Sequence, residues 1–249
     1  MNDPRAPAMT SQEPSAPVRR RARTRAAIGL SVLAIAVLVW AARHTMLVAA
    51  GRLLVAEDPL APVDVIAVSS ASWNGGALEA AQLYRSGVGA EILLMPDPVD
   101  PADPAIRQLG IRRLYGVDLA EAILERSGVP ARAVRVLPDP VDGTDMEIAE
   151  LASFARQQQV RSMLFITART HTRRARWLLR HTLPPHTRSI VRASGLDDFS
   201  PDTWWYTRGY SREVVMEYLR WVNTTVLRDL WGRGSVANVT ASPAFPAGG

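Results

Sequence analysis

The highest concentration of residues able to do chemistry lies at positions 167–175, which read Thr-Ala-Arg-Thr-His-Thr-Arg-Arg-Ala. This stretch follows an apolar run, residues 163–166, which predicts a buried strand, and it leads into a predicted helix at 173–183. A histidine and several arginines therefore stand where the carboxyl end of a strand meets the amino end of a helix. Open α/β sheets bind ligands at that edge, and free backbone N–H groups there favour an anion.

His171 and Arg174 are the leading candidates in this stretch. They are three residues apart and share one face of a helix. Arg174 could hold a phosphate or carboxylate through two parallel hydrogen bonds, and His171 could act as a general acid or base. The alternative is a capping turn in which Thr170 caps the helix and the charges face solvent.

Thr144 and Glu147 form a second candidate pair. Their spacing, Thr-x-x-Glu, fits a capping box at the start of a helix, which needs no ligand. The functional interpretation places both side chains in the same crevice as His171, with Thr144 as a hydroxyl donor and Glu147 as a catalytic acid or base. Asp142 and Asp145 flank the pair and could serve instead.

A third candidate set follows the first predicted strand. Ser69, Ser70 and Ser72 could present N–H and O–H groups to a phosphate at the carboxyl end of that strand. The alternative interpretation is a polar loop without a ligand.

Composition excludes several kinds of site. The chain of 249 residues has no cysteine, so thiolate nucleophiles and cysteine-ligated zinc are absent. All 29 basic residues are arginine, which excludes a Schiff-base or P-loop lysine. An aspartate-bearing segment, residues 97–103, is interrupted by proline and matches no calcium loop, so we predict no metal site. No pattern of residues identifies a cofactor.

The elements that must position these residues alternate along the chain. Apolar or β-rich runs predict strands at 63–69, 91–95, 133–137, 161–167 and 188–193, and apolar periodicity predicts helices at 77–86, 119–126, 144–159, 173–183 and 211–230. Asn74-Gly75-Gly76 predicts a turn, and the prolines of 96–104 predict a loop. Strict alternation predicts an α/β domain with a parallel sheet of about five strands, covered by helices on both faces.

The amino end predicts a membrane anchor. Residues 1–25 are predicted to be a disordered, Arg-rich tail, and residues 26–42 are uncharged and almost wholly apolar. A helix of that length spans roughly 25 Å, which is adequate for a hydrocarbon core of about 30 Å. Trp40 and Arg43 suit the membrane interface. We predict one transmembrane helix at 26–45, an α/β domain at 46–232 and a flexible tail at 233–249.

The net charge of +5 is concentrated before this anchor, where six arginines lie among the first 25 residues. The remainder is near neutral, so we predict no nucleic-acid partner. The positive-inside rule places the amino terminus in the cytoplasm and the main domain outside it. A cleaved signal peptide is the alternative, since alanine pairs occur at 41–42 and 49–50. A twin-arginine export signal is a weaker one.

Several motifs occur in an order that resembles a known family. The chain reads Ala80-Ala81-Gln82-Leu83-Tyr84-Arg85-Ser86-Gly87, then Gly128-Val129-Pro130 before a strand, then Gly143-Thr144-Asp145-Met146-Glu147, then a strand ending in Thr167 followed by His171-Thr172-Arg173-Arg174-Ala175, and finally Trp204-Trp205 and a helix with Arg212 and Glu217. Over roughly residues 55–230 this resembles the YdcF/SanA/ElyC-like family of bacterial envelope proteins.

The resemblance implies a Rossmann-like α/β domain held outside the plasma membrane and linked to peptidoglycan or lipid-carrier metabolism. We predict that a phosphate-bearing or nucleotide-like ligand, either a small molecule or a lipid carrier, is bound or processed at the carboxyl edge of the sheet, at a site that includes Thr167. The arginine that commonly opens the first helix of the family, near Gly76 or Ala77, is absent here. The alternative function is therefore a non-catalytic, membrane-tethered module that regulates envelope metabolism by contact.

Overall fold

The computed structural model describes residues 16–111 and 114–227. The chain divides into two compact units, Met1–Leu47 and Val48–Gly249. The predicted tail at 233–249 and the first fifteen residues of the predicted 1–25 tail lie outside the described residues.

The first helix, α1, runs without interruption from Ala16 to Leu54. It begins ten residues before the predicted start and includes residues 16–25 of the predicted disordered tail, because alanine and arginine are good helix formers and the apolar segment extends the helix. The segment Ala27–Leu54 is apolar enough to cross a membrane, and its most apolar 18-residue stretch has no buried residue. At 28 residues it is about 42 Å long, more than the roughly 30 Å of a hydrocarbon core.

The second unit contains one sheet of five parallel strands. The strands are β1 (Val63–Val68), β2 (Gly89–Leu94), β3 (Val134–Val136), β4 (Ser162–Thr167) and β5 (Arg188–Ala193). Their order is β3-β2-β1-β4-β5, and every neighbouring pair is parallel. The predicted Rossmann-like α/β fold is confirmed, because each buried strand is a short apolar run separated from the next by helical sequence.

Helices cover the sheet on both faces. They are α2 (Trp73–Arg85), α3 (Asp103–Gln108), α4 (Gly116–Arg126), α5 (Thr144–Gln158), α6 (Thr172–Thr182) and α7 (Arg208–Val222), and a π-helical turn, Asn223–Leu227, extends α7. Side chains of α2 and α4 pack on one face of the sheet, and side chains of α5 and α6 pack on the other. This gives the three layers predicted from strand and helix alternation.

Two local predictions are wrong. Gly75 and Gly76 lie in the first turn of α2 rather than in a separate turn. A Cβ atom on Gly75 would lie 2.6 Å from Ser194 Oγ, and one on Gly76 would lie 2.9 Å from Val68 Cγ1. Glycine is therefore required for close approach of the helix to the sheet. The predicted loop at 96–104 ends early, because α3 begins at Asp103 with a proline in its first turn.

The strand order creates a switch point between β1 and β4. From β1 the chain continues to β2 on one side, while β4 pairs with β1 on the other side, with Val68 opposite Ile166. The loops that follow β1 and β4 therefore diverge and leave a crevice at the carboxyl edge, the usual ligand position in open α/β sheets.

Candidate functional site

A cleft of about 1040 Å³ opens at this switch point. Its walls come from the segments that follow β1, β4 and β5, from the start of α4 and from α7. A second hollow of about 440 Å³ lies at the start of α5, and Ser70, His171 and Arg220 line both. The candidate residues after β1 and β4 are therefore brought to one edge of the sheet, as predicted.

Glu147 lies in the first turn of α5 and is fully buried. Its Oε2 accepts a hydrogen bond from Ser69 Oγ at 2.8 Å, and its Oε1 accepts from Ser70 N and Ser70 Oγ, both at 2.7 Å. The predicted capping box is wrong, because Gly143 occupies the cap position and the carboxylate reaches across to the loop after β1. Ser69 and Ser70 therefore donate to the carboxylate of Glu147, where the sequence predicted that they would donate to a phosphate.

Arg174 is buried on α6 and forms a paired contact with Glu217 of α7. Its Nε donates to Glu217 Oε1 at 2.6 Å and its Nη2 donates to Glu217 Oε2 at 3.2 Å. The same guanidinium also reaches Thr144 Oγ1 at 3.3 Å and Asp145 Oδ1 at 3.2 Å. Arg174 therefore joins α5, α6 and α7, and its fork is occupied by a carboxylate of the same chain.

His171 precedes α6 and is 8% exposed. Its Nε2 lies 2.6 Å from Glu213 Oε1 and 3.4 Å from Glu217 Oε2. Since a carboxylate only accepts, Nε2 carries a proton and donates it to Glu213. The alternative in which Thr170 caps the helix and the charges face solvent is wrong, because the helix start has no side-chain cap and His171 and Arg174 are both buried.

Glu213 is an acid of the cleft whose pKa is clearly shifted. The hydrogen bond from His171 lowers the pKa of Glu213 below its ordinary value, and the nearby charge of Arg220 lowers it further against the opposing effect of burial. Glu213 is therefore ionised at neutral pH and holds the imidazole in one orientation.

The guanidinium of Arg220 lies among the side chains of His171, Glu213 and Glu217. The donor atoms of His171, Glu213 and Glu217 lie within 4.8 Å of one another, a spacing that could hold a metal ion. Arg220 Nη1, however, lies 3.4 Å from each of the three atoms. The guanidinium supplies the positive charge at that point, and a metal ion would have to displace it.

Three buried polar side-chain atoms in residues 167–171 have no hydrogen-bond partner among the described residues. They are Thr167 Oγ1, at the carboxyl end of β4, Arg169 Nε and His171 Nδ1. Thr167 is fully buried, so its hydroxyl does not face the cleft. A ligand in the cleft therefore cannot reach Thr167, so the ligand-binding role predicted for it does not fit this conformation.

Among the described residues, one arginine of the cleft has no ion-pair partner. Arg212 lies on α7, lines the cleft and is exposed, and within the described ranges no carboxylate pairs with it. Tyr210, on the same helix, donates to Asp198, and burial together with that hydrogen bond raises the pKa of Tyr210 to about 12. Tyr210 therefore remains a hydrogen-bond donor at physiological pH.

The sequence interpretation missed Glu213 and Arg220. Together with Glu217 they stand at spacings of four and three residues, which puts all three on one face of α7. That spacing was a signal, but only the tertiary fold shows that this face of α7 meets His171 rather than solvent.

A scan against protein-family models finds no family that matches this chain. No curated protein matches its sequence either.

Proposed function

We propose that this chain is a membrane-anchored envelope protein of the YdcF-like type that binds a phosphate-bearing or nucleotide-like ligand in the switch-point cleft. The observation that carries the proposal is the cleft's place, at the carboxyl edge between β1 and β4 of a parallel sheet ordered β3-β2-β1-β4-β5. The proposal places the amino terminus in the cytoplasm and the α/β domain outside the plasma membrane.

Arg212 is the proposed contact for the anion. It is the cation of the cleft that no carboxylate of the described chain neutralises, whereas Arg174 and Arg220 are both engaged. Arg174 is thereby a positioning residue, because it fixes Glu217 and the start of α5.

His171 is the proposed acid/base group if the ligand is also processed. Its Nε2 proton is shared with Glu213, so a substrate oxygen would have to replace Glu213 Oε1 to receive it. Glu147 is proposed as the acceptor that shapes the loop after β1 rather than as a second acid/base group, because its carboxylate is enclosed by Ser69 and Ser70.

Binding can be tested with the full chain in detergent, titrated separately with pyrophosphate, ATP and inorganic phosphate in a calorimeter. We expect binding of at least one probe and a loss of about tenfold in affinity for Arg212→Gln, since one charge-assisted contact contributes about 1.4 kcal/mol. Arg208→Gln is the matched control, because Arg208 is an exposed arginine of the same helix outside the cleft. Equal affinity of both variants would refute the proposed contact.

A second candidate function is the non-catalytic module that acts by contact. The existing pairing of the charged groups favours it, since Glu147 accepts from Ser70 and Arg174 donates to Glu217 and Asp145 without a ligand. Rescue of an envelope defect separates the two functions. Full rescue by both His171→Gln and Arg212→Gln, with normal membrane insertion, would favour the contact module, whereas loss of rescue with retained folding would favour the ligand site.

The orientation has its own test. A reporter that is active only outside the cytoplasm, fused to the carboxyl end, is expected to be active. Activity of a cytoplasm-only reporter at that position would refute the proposed topology.

A further inference from the structure

The last described α-helix, α7, has an apolar face that no described residue covers. Val215, Leu219, Val222 and Val226 are 55%, 57%, 50% and 47% exposed, and their spacings of four, three and four residues place them in one stripe. Scattered exposed aliphatic side chains are ordinary on a protein surface, but four in register along a helix form a continuous apolar surface.

The opposite face of α7 is buried in the domain. Val214 and Glu217 are 2% and 0% exposed, and Glu213 and Arg220 line the cleft. The helix is therefore held firmly by its polar and core-facing side chains, and its apolar stripe points away from the sheet. Folding of the domain does not account for the stripe.

The stripe lies beside the end of the apolar helix α1. Tyr218 Oη donates to the carbonyl oxygen of Ala50 at 2.7 Å, and Ala50 belongs to the segment apolar enough to cross a membrane. Gly51 is packed so closely that an added Cβ would lie 2.8 Å from both Pro201 Cα and Trp204 Cδ1.

Other side chains on this part of the domain suit a lipid interface. Arg208 begins α7 on the same side as the stripe, since it precedes Val215 by seven residues and Val222 by fourteen. Arginine at that position is complementary to anionic headgroups. Tyr206, immediately before α7, is 77% exposed, and interfacial tyrosine is common at membrane surfaces.

We infer that the apolar stripe of α7 lies on the lipid surface next to the anchor, as a second membrane contact of the domain. The inference goes beyond the ligand of the cleft and rests only on α1 entering a membrane. Since one face of α7 lines the cleft and the other contacts lipid, this second contact holds the cleft at a set height above the membrane. An apolar helix face seated at the boundary between headgroups and acyl chains is the mode of interfacial amphipathic helices.

The experiment uses single-cysteine variants, which are clean because the chain has no cysteine. The full chain is labelled with an environment-sensitive fluorophore at Leu219→Cys and reconstituted into vesicles of phosphatidylethanolamine and phosphatidylglycerol. Glu125→Cys is the control, because Glu125 is exposed on α4, which packs on the face of the sheet opposite α6. Val37→Cys, inside the apolar segment, reports insertion of the anchor.

Quenching by lipid-attached nitroxides and by aqueous iodide gives the result. We expect the label at 219 to be quenched several-fold more by a shallow lipid nitroxide than the label at 125, and less by iodide. Equal water exposure at the two positions would overturn the inference. Protection from iodide without quenching by the lipid nitroxide would also overturn it, because a second copy or residues 228–249 would then cover the stripe. If no lipid nitroxide quenches the label at 37, α1 does not enter the membrane and the inference loses its premise.

Discussion

Replacing Arg174 by methionine tests whether the contacts between α6 and α7 hold the site together. The side chains of Arg174 and Glu217 are 4% and 0% exposed and share two hydrogen bonds. Removing one partner of a buried ion pair costs about 3–5 kcal/mol, because the other charge stays buried without compensation. His171 and Arg220 still approach Glu217 at 3.4 Å, which puts the expected loss near the lower end, about 3 kcal/mol.

The assays are chemical and thermal denaturation of the full chain in detergent, both followed by tryptophan fluorescence. A loss of about 3 kcal/mol corresponds to a fall in melting temperature of roughly 6–12 °C for a domain of this size. Arg52→Met is the matched control, since Arg52 pairs with Asp202 in an exposed bridge expected to contribute at most about 1 kcal/mol. The double variant Arg174→Met/Glu217→Met should recover part of the loss. Equal effects of Arg174→Met and Arg52→Met would refute the reasoning.

Three further predictions concern the loop after β1, the cleft and the packing of α1. Glu147→Ala leaves the N–H and hydroxyl of Ser70 without an acceptor and is expected to lower the free energy of unfolding by about 3 kcal/mol; unchanged denaturation would contradict these contacts. Because the folded pKa of Glu213 lies below its ordinary value of 4.5, its stabilising effect is present above that pH and is lost as the pH falls through the folded pKa. Glu213→Gln should therefore flatten the acid side of the melting temperature plotted against pH, and parallel curves would argue against the prediction. Gly51→Ala should destabilise by about 1–3 kcal/mol through overpacking, while Gly209→Ala, with open space at its Cβ, should be neutral or slightly stabilising in the same denaturation assay; similar losses would show that packing at Gly51 is not tight.

The layers and the sheet could be predicted because their signals are local. Each strand buried on both faces is a short apolar run, so residues 63–69 and 161–167 predicted β1 and β4 to within one residue at each end. Gly75 and Gly76 were misread because glycine suits both a turn and a crowded helix. Only the contact with Ser194 and Val68 distinguishes the two.

The location of the candidate site could be predicted from the sequence, but the hydrogen-bond partners of its residues could not. Parallel strands bring Ser69, Ser70 and His171 to one edge whatever the details of the loops, and the sequence interpretation placed them there. Which donor meets which acceptor depends on how α5 and α7 pack, and this is not encoded in neighbouring residues. Arg174 therefore looked like a free anion clamp, although Glu217, forty-three residues later, occupies it.

The carboxylate of Glu147 occupies the donors of the loop after β1, so it would compete with any external anion for Ser69 and Ser70. A group tethered in this way has an effective concentration of at least about millimolar, even before its rigid placement is considered. Small anions of the medium at lower concentration will not replace it at Ser69 and Ser70. The loop therefore keeps its shape in the unliganded protein, and selectivity passes to groups further out in the cleft, where Arg212 meets water.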